Sequence, residues 1–183
     1  AKLIQQDGGD IEVVTAGALN ITGALETAGN VELEAASTIS QMGAGRIVAN
    51  ILTTTSAGGQ TLTGDNVIDI FEALNTAGGA IVLVNTGDEL QIAELIQQDG
   101  GDIDIVTAGA LNIAGSLETT GNVALEAGST ISQTGVGRIL ANALTTTSSG
   151  GQTLTGDNVI GIFEALNTAG GAIVLMNTAD ELQ

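Results

Sequence analysis

The chain lacks the residues on which most enzyme chemistry depends. Its 183 residues include no cysteine, histidine, tyrosine, tryptophan or proline. Without cysteine there is no disulfide framework and no thiolate metal site. Without histidine, the serines have no partner that would activate them as nucleophiles near neutral pH. We therefore predict that the chain is not an enzyme and carries no catalytic residue.

Positive charge is also scarce. Lys2, Arg46 and Arg138 stand against 21 acidic residues, which leaves a formal net charge of −18. A chain of this charge repels the phosphates of nucleic acids and of anionic membranes. It also contains no run of 18 apolar residues that would span a bilayer as a helix. We predict that it binds no nucleic acid and inserts into no membrane.

What the chain does have is a long internal repeat. Residues 3–91 align without a gap onto residues 95–183, and 15 of the 89 aligned positions differ. Near-duplication at a fixed period is typical of proteins whose units stack on one another. We predict two units, 1–92 and 93–183, that form one continuous solenoid. The second unit stops one residue short of its full length, so we expect a segment of a longer array.

Each unit has a finer pattern, in which a glycine precedes alternating aliphatic residues. These segments begin at Gly9, Gly29, Gly45, Gly59 and Gly79. Alternation is typical of β-strands, and glycine permits a tight corner with positive φ before each one. We predict an all-β parallel solenoid with five turns per unit, about ten in all. At the usual strand spacing the rod would be about 48 Å long. A narrow aliphatic core would explain why phenylalanine occurs only twice.

Residues 64–75 fit two secondary structures. Val67, Ile70, Phe71 and Leu74 recur at helical spacing, and Asp65 could cap such a helix. As a strand, the same segment would place Val67 and Phe71 inward at successive corners. Stacking against neighbouring strands favours the strand, and a short helix stays open as the alternative.

Several phrases of the sequence resemble filamentous-haemagglutinin-type proteins, which are secreted bacterial adhesins exported by two-partner secretion. The phrases are ISQ at 39–41, GAG at 43–45, LTTTSAGGQTLTG at 52–64 and NTAGGAI at 75–81. The resemblance covers essentially the whole chain. It implies a right-handed β-helical shaft, an extracellular location at the bacterial cell surface, and no catalytic residues.

Two acidic side chains are candidates for a calcium site. Counted from their glycines, Glu12 and Glu32 fall at the same outward position of adjacent strands, about 5 Å apart. Their equivalents in the second unit are Asp104 and Ala124. Because the second copy lacks half of the ligands, we predict no metal site and no cofactor.

Comparing the two units also bears on glycoside hydrolysis and on a surface ion pair. Paired carboxylates could hydrolyse a glycoside, but the repeat would then build the required cleft twice. Arg46 falls diagonal to Glu32, which predicts a surface ion pair that Arg138 would have lost to Ala124.

The architecture itself suggests a function. Uncapped solenoid ends expose unpaired strand edges, and a head-to-tail contact between copies does not close. We expect a structural segment of a fibre or adhesin shaft that associates with itself end to end. The sequence names no receptor. The alternative is a calcium- or carbohydrate-binding adhesin module.

Overall fold

The computed structural model describes residues 3–183, and every regular element in that range is a β-strand. The strands are β1 (Leu3–Gln5), β2 (Ile11–Thr15), β3 (Leu19–Ile21), β4 (Ala24–Thr27), β5 (Asn30–Ala35), β6 (Ile39–Gln41), β7 (Arg46–Ser56), β8 (Gln60–Asn75), β9 (Ile81–Asn85), β10 (Glu89–Gln97), β11 (Ile103–Thr107), β12 (Ala110–Glu118), β13 (Asn122–Ala127), β14 (Ile131–Gln133), β15 (Arg138–Ser148), β16 (Gln152–Asn167) and β17 (Ile173–Asn177).

The strands coil into a β-solenoid. All of the paired strands are parallel, and each residue pairs with one that lies 19 to 22 positions along the chain. The chain therefore makes about eight stacked turns, and the predicted fold class is confirmed. The right-handed coiling that the resemblance implies stays a prediction.

Alternating side chains build a thin aliphatic core. In β5, Val31 and Leu33 are buried whereas Glu32 and Glu34 between them are exposed. The same alternation buries Ile81 and Leu83 in β9. Phe71 is the one aromatic ring that is fully buried among the described residues. In these strands, period-two patterning in the sequence decides which side chains form the core.

The turn count differs from the prediction. The structure has about eight turns rather than ten, because the five glycine-led segments do not all lie at one corner. Gly9 and Gly29 stack on each other at one corner, whereas Gly59 and Gly79 stack at another. At the second corner both glycines have positive φ, 96° and 94°, which L-residues with side chains rarely adopt. Counting these glycines therefore counts strands on different sides of the coil and not turns.

The 92-residue repeat spans four and a half turns. One line of stacked residues runs through Ile11, Val31, Leu52, Phe71, Ile92 and Ile113. A second line runs through Leu19, Ile39, Gln60, Ile81, Ile103, Val123, Leu144 and Phe163. Ile103 is the repeat equivalent of Ile11, yet it lies on the second line, midway along the chain between Ile92 and Ile113. Equivalent residues of the two units therefore face opposite sides of the coil.

Residues 64–75 are entirely strand, as part of β8, so the helical alternative is wrong. Phe71 points inward as predicted, but Val67 is exposed. Its neighbour Asn66 is buried instead: its side-chain oxygen accepts a hydrogen bond from the Ile47 amide at 2.9 Å, and its amide group donates to the Val84 carbonyl at 3.0 Å. At the corner, some backbone amide and carbonyl groups have no ladder partner. An amide side chain can form hydrogen bonds with these groups and an aliphatic side chain cannot, so Asn66 faces inward at this corner.

The two phenylalanines provide a matched test of core burial. Phe71→Ala is expected to lower the free energy of unfolding by about 3–5 kcal/mol, because it opens a cavity in a fully covered layer. Phe163→Ala should lower the free energy of unfolding clearly less, because Phe163, the repeat equivalent of Phe71, is only partly buried in the last turns. Denaturant unfolding of the two variants measures the difference. Equal losses of stability in the two variants would contradict the difference in burial between Phe71 and Phe163.

Candidate functional site

The contact between the two repeat units is the part of the structure from which a function can be argued. Residues 95–97 of β10 pair with residues 73–75 of β8, and β11 pairs along its length with β9. Backbone hydrogen bonds continue across the contact, as from the Gln98 amide to the Asn75 carbonyl at 3.0 Å. The second unit therefore continues the parallel ladder of the first without interruption.

The repeat shows what this contact does to identical residues. Ile81 and Leu90 lie beneath the second unit and are 0% exposed. Their equivalents Ile173 and Leu182, with no further turn above them, are 43% and 45% exposed. The covering unit therefore accounts for their burial. The last turn presents a half-open aliphatic layer that has the sequence of a closed one.

The opposite end of the coil shows the complementary pattern. Leu95 is 0% exposed where it rests on the first unit, whereas its equivalent Leu3 is 41% exposed. Gln97 is buried and Gln5 is exposed. Each end of the described rod thus carries exposed residues whose repeat equivalents are buried in the interior contact.

Polar side chains at the corners tie successive turns together. The side-chain oxygen of Asn75 accepts hydrogen bonds from the Ser56 hydroxyl and the Gly59 amide, both at 3.0 Å. In the next turn, the Gln97 side-chain amide donates to the Gly79 carbonyl at 2.6 Å. These bonds satisfy corner groups that the strand ladder leaves open.

Two buried polar atoms at the contact between the units lack a partner. Within residues 3–183, the buried side-chain atoms without a hydrogen bond are the Gln97 carbonyl oxygen and the Thr107 hydroxyl. Thr107 lies on Asn85 of the first unit, whose amide group is already bonded to the Ile68 carbonyl. A buried hydroxyl without a partner costs about 1–3 kcal/mol, so the contact is stabilised by its apolar layer rather than by every polar group in it.

Replacing Thr107 tests this cost. Thr107→Val keeps the shape of the side chain and removes the unpaired hydroxyl, and it is expected to raise the free energy of unfolding by about 1 kcal/mol. Thr15→Val is the matched control, because the Thr15 hydroxyl accepts a hydrogen bond from the Gly17 amide and lies at the open end. Denaturant titration compares the two. A loss of stability in Thr107→Val would show that the hydroxyl has a partner after all.

The arginines pair with other acids than predicted. Arg46 bonds to Glu26 and not to Glu32, because β4 and β7 place Arg46 directly on Ala24. Arg138 has kept the equivalent partner, Glu118. The predicted pair between Arg46 and Glu32 is therefore wrong, and so is the loss of a partner by Arg138. The half-turn relation places the two ion pairs on opposite sides of the rod.

The second ion pair changes the acidity of its carboxylate. Burial raises the pKa of Glu118, but hydrogen bonds with Arg138 and Ser116 and the positive charge of Arg138 outweigh it, so the pKa lies below its ordinary value. A carboxylate with a lowered pKa in the folded state stabilises the fold above its unfolded pKa. That stability is lost as the pH falls through the folded value.

Glu118→Gln is expected to remove this pH-dependent contribution. At pH 7 the variant should be less stable than the parent by up to about 1 kcal/mol, because the pair is partly exposed. The difference should vanish in acid, below the lowered pKa of Glu118. Glu126→Gln serves as control, since Glu126 forms no ion pair in the part of the chain that the structure describes. Urea unfolding between pH 3 and pH 7 gives the comparison, and a difference that grows in acid would contradict the assignment.

The predicted acidic pair is present at the surface. Glu12 and Glu32 are register partners on β2 and β5 and both are exposed, as predicted. Thr53 occupies the same register position on the next turn, and Glu72 occupies it one turn further. The line of outward positions therefore carries a further acid beyond the pair that the sequence indicated. Over residues 3–183 these acids do not converge with others into a group of three that could hold a metal ion.

Comparison with known proteins leaves the resemblance untested. No family model, no curated protein and no solved structure matches this chain. Within the described range no helix is long and apolar enough to cross a membrane.

Proposed function

We propose that the chain is a structural segment of a secreted bacterial surface fibre or adhesin shaft, whose units stack end to end into filaments. The observation that carries this proposal is the matched exposure of equivalent residues. The layer that is closed in the first unit, with Ile81 at 0%, is open in the second, with Ile173 at 43%. A further unit, in the same chain or in a second copy, is the surface that closes it.

The contact has the physical properties of a growing assembly. Its two sides are different surfaces, so each added copy leaves a new open layer and the association does not close into a ring. Parallel ladder hydrogen bonds and aliphatic burial both contribute to it. The partner of the chain is then another copy of itself.

The net charge favours growth along the rod over clumping from the side. The side walls carry exposed acids such as Glu12 and Glu32, and the formal net charge is −18. Side walls of one sign repel each other, whereas the ends present aliphatic residues and unpaired strands. Location at the bacterial surface and the adhesin role rest on the resemblance to filamentous-haemagglutinin-type shafts.

A second candidate function is calcium or carbohydrate binding along one wall. The register pairing of Glu12 with Glu32 favours it, because two carboxylates on adjacent strands can share a cation. The second unit has Asp104 opposite Ala124, which removes one of those ligands. A thermal melting curve that shifts when Ca²⁺ is added, and reverts with a chelator, would favour this function over the purely structural one.

One substitution at the end of the last turn, with a control on the side wall, tests the stacking. Ile173→Lys is expected to abolish filaments, because stacking would bury an ammonium group in the aliphatic layer. Val136→Lys is the control: Val136 is 85% exposed on the side of the rod, so filaments should form as in the parent. Electron microscopy and sedimentation velocity measure filament length, with circular dichroism to confirm folding. A parent chain that stays monomeric at high concentration would count against the proposal, as would filaments that survive Ile173→Lys.

A further inference from the structure

We infer that copies of the chain join in one register only, with β1 on residues 165–167 and β2 on β17, so that consecutive units are related by about half a rotation around the rod. This inference rests on the proposed function, and it identifies the partner surface and its alignment residue by residue.

The interior contact is the template for this joint. There, Ile96 pairs with Leu74 and Thr107 pairs with Asn85. The equivalent pairs between copies are Ile4 with Leu166, and Thr15 with Asn177. No peptide link is needed, because ladder hydrogen bonds and side-chain packing carry the contact.

The two surfaces of the joint have almost the same sequence as the interior template. Residues 165–177 differ from 73–85 at one position, where Met176 replaces Val84. Residues 3–15 differ from 95–107 at two positions, with Glu12 for Asp104 and Val13 for Ile105. All three replacements keep the chemical class, so the joint preserves the apolar layer of the template.

Slipped registers are disfavoured for two reasons. A shift by one residue would lay the inward-facing Ile11 and Val13 over outward-facing positions of β17, and charged Glu12 over its apolar layer. The corner adds a second constraint, because a Cβ atom at Gly101 would overlap the carbonyl oxygen of Gly79 beneath it. In the joint between copies, Gly9 takes that place over Gly171, and a slip that brings Asp10 there would put a side chain against the carbonyl oxygen.

The half-turn relation then sets the symmetry of the filament. Four and a half turns per unit give a rise of about 22 Å at the usual strand spacing, with a rotation near 180°. Two units restore the original direction after about 43 Å. The pair of Arg46 with Glu26 and the pair of Arg138 with Glu118 would alternate between opposite walls along the whole fibre.

Engineered cysteines test the register in the full 183-residue chain, which has no cysteine of its own. Ile4→Cys combined with Leu166→Cys is the matched pair: register partners lie about 4.8 Å apart, within the range that a disulfide bridges. The two positions of one chain lie at opposite ends of the rod, so any bridge joins different chains. Ile4→Cys with Met176→Cys is the mismatched control. Leu74→Cys with Ile96→Cys, which should close within one chain, verifies the geometry.

Under an added oxidant, the matched pair is expected to give a ladder of covalent oligomers on a non-reducing gel, while the mismatched pair gives monomer. By electron cryomicroscopy, parent filaments should show a rise of about 43 Å per chain, with a pseudo-repeat of about 22 Å and half a rotation between the two units of each chain. If filaments form but the mismatched pair bridges as readily as the matched pair, the register is overturned and end-to-end stacking survives. If neither pair bridges and the parent forms no filaments, both proposals fail.

Discussion

Each strand of this molecule obtains its backbone partners from the strands one turn before and one turn after it. No turn satisfies its own amide and carbonyl groups, and no turn closes its own aliphatic layer. Equivalent residues are therefore covered in the first unit and exposed in the second, as Ile81 and Ile173 are. The stacking of copies that we propose would follow from this architecture, and it would need no binding site of conventional form.

The half-turn relation is the second constraint, and it decides which side of the rod each of two equivalent residues faces. A turn takes 19 to 22 residues and the repeat takes 92, so the second unit begins on the other side of the coil. Equivalent residues nevertheless keep equivalent partners one turn away, as the pairs of Arg46 with Glu26 and of Arg138 with Glu118 show. Surroundings differ at the ends of the described rod: Thr107 lies above Asn85, whereas Thr15 lies in the first turn with no described strand beneath it.

Local patterns predicted the local structure well. Alternation placed Val31, Leu33, Ile81 and Leu83 in the core, and the structure buries all four. Val67 was placed wrongly because the corner needs the hydrogen bonds of Asn66, a demand that arises from the turns above and below. The partner of Arg46 was also wrong, since a diagonal across strands can be chosen only when the register is known.

The sequence by itself determined the strand character of the chain, most of the inward positions, and the existence of a repeat whose units stack on one another. These follow from residue type and from short-range alternation. Only the tertiary structure decided the length of a turn, the half-turn relation between units, and which acid each arginine contacts. Those features depend on where the chain bends, and the bends are fixed by backbone contacts between residues about 20 positions apart, such as Gly59 against Gly79.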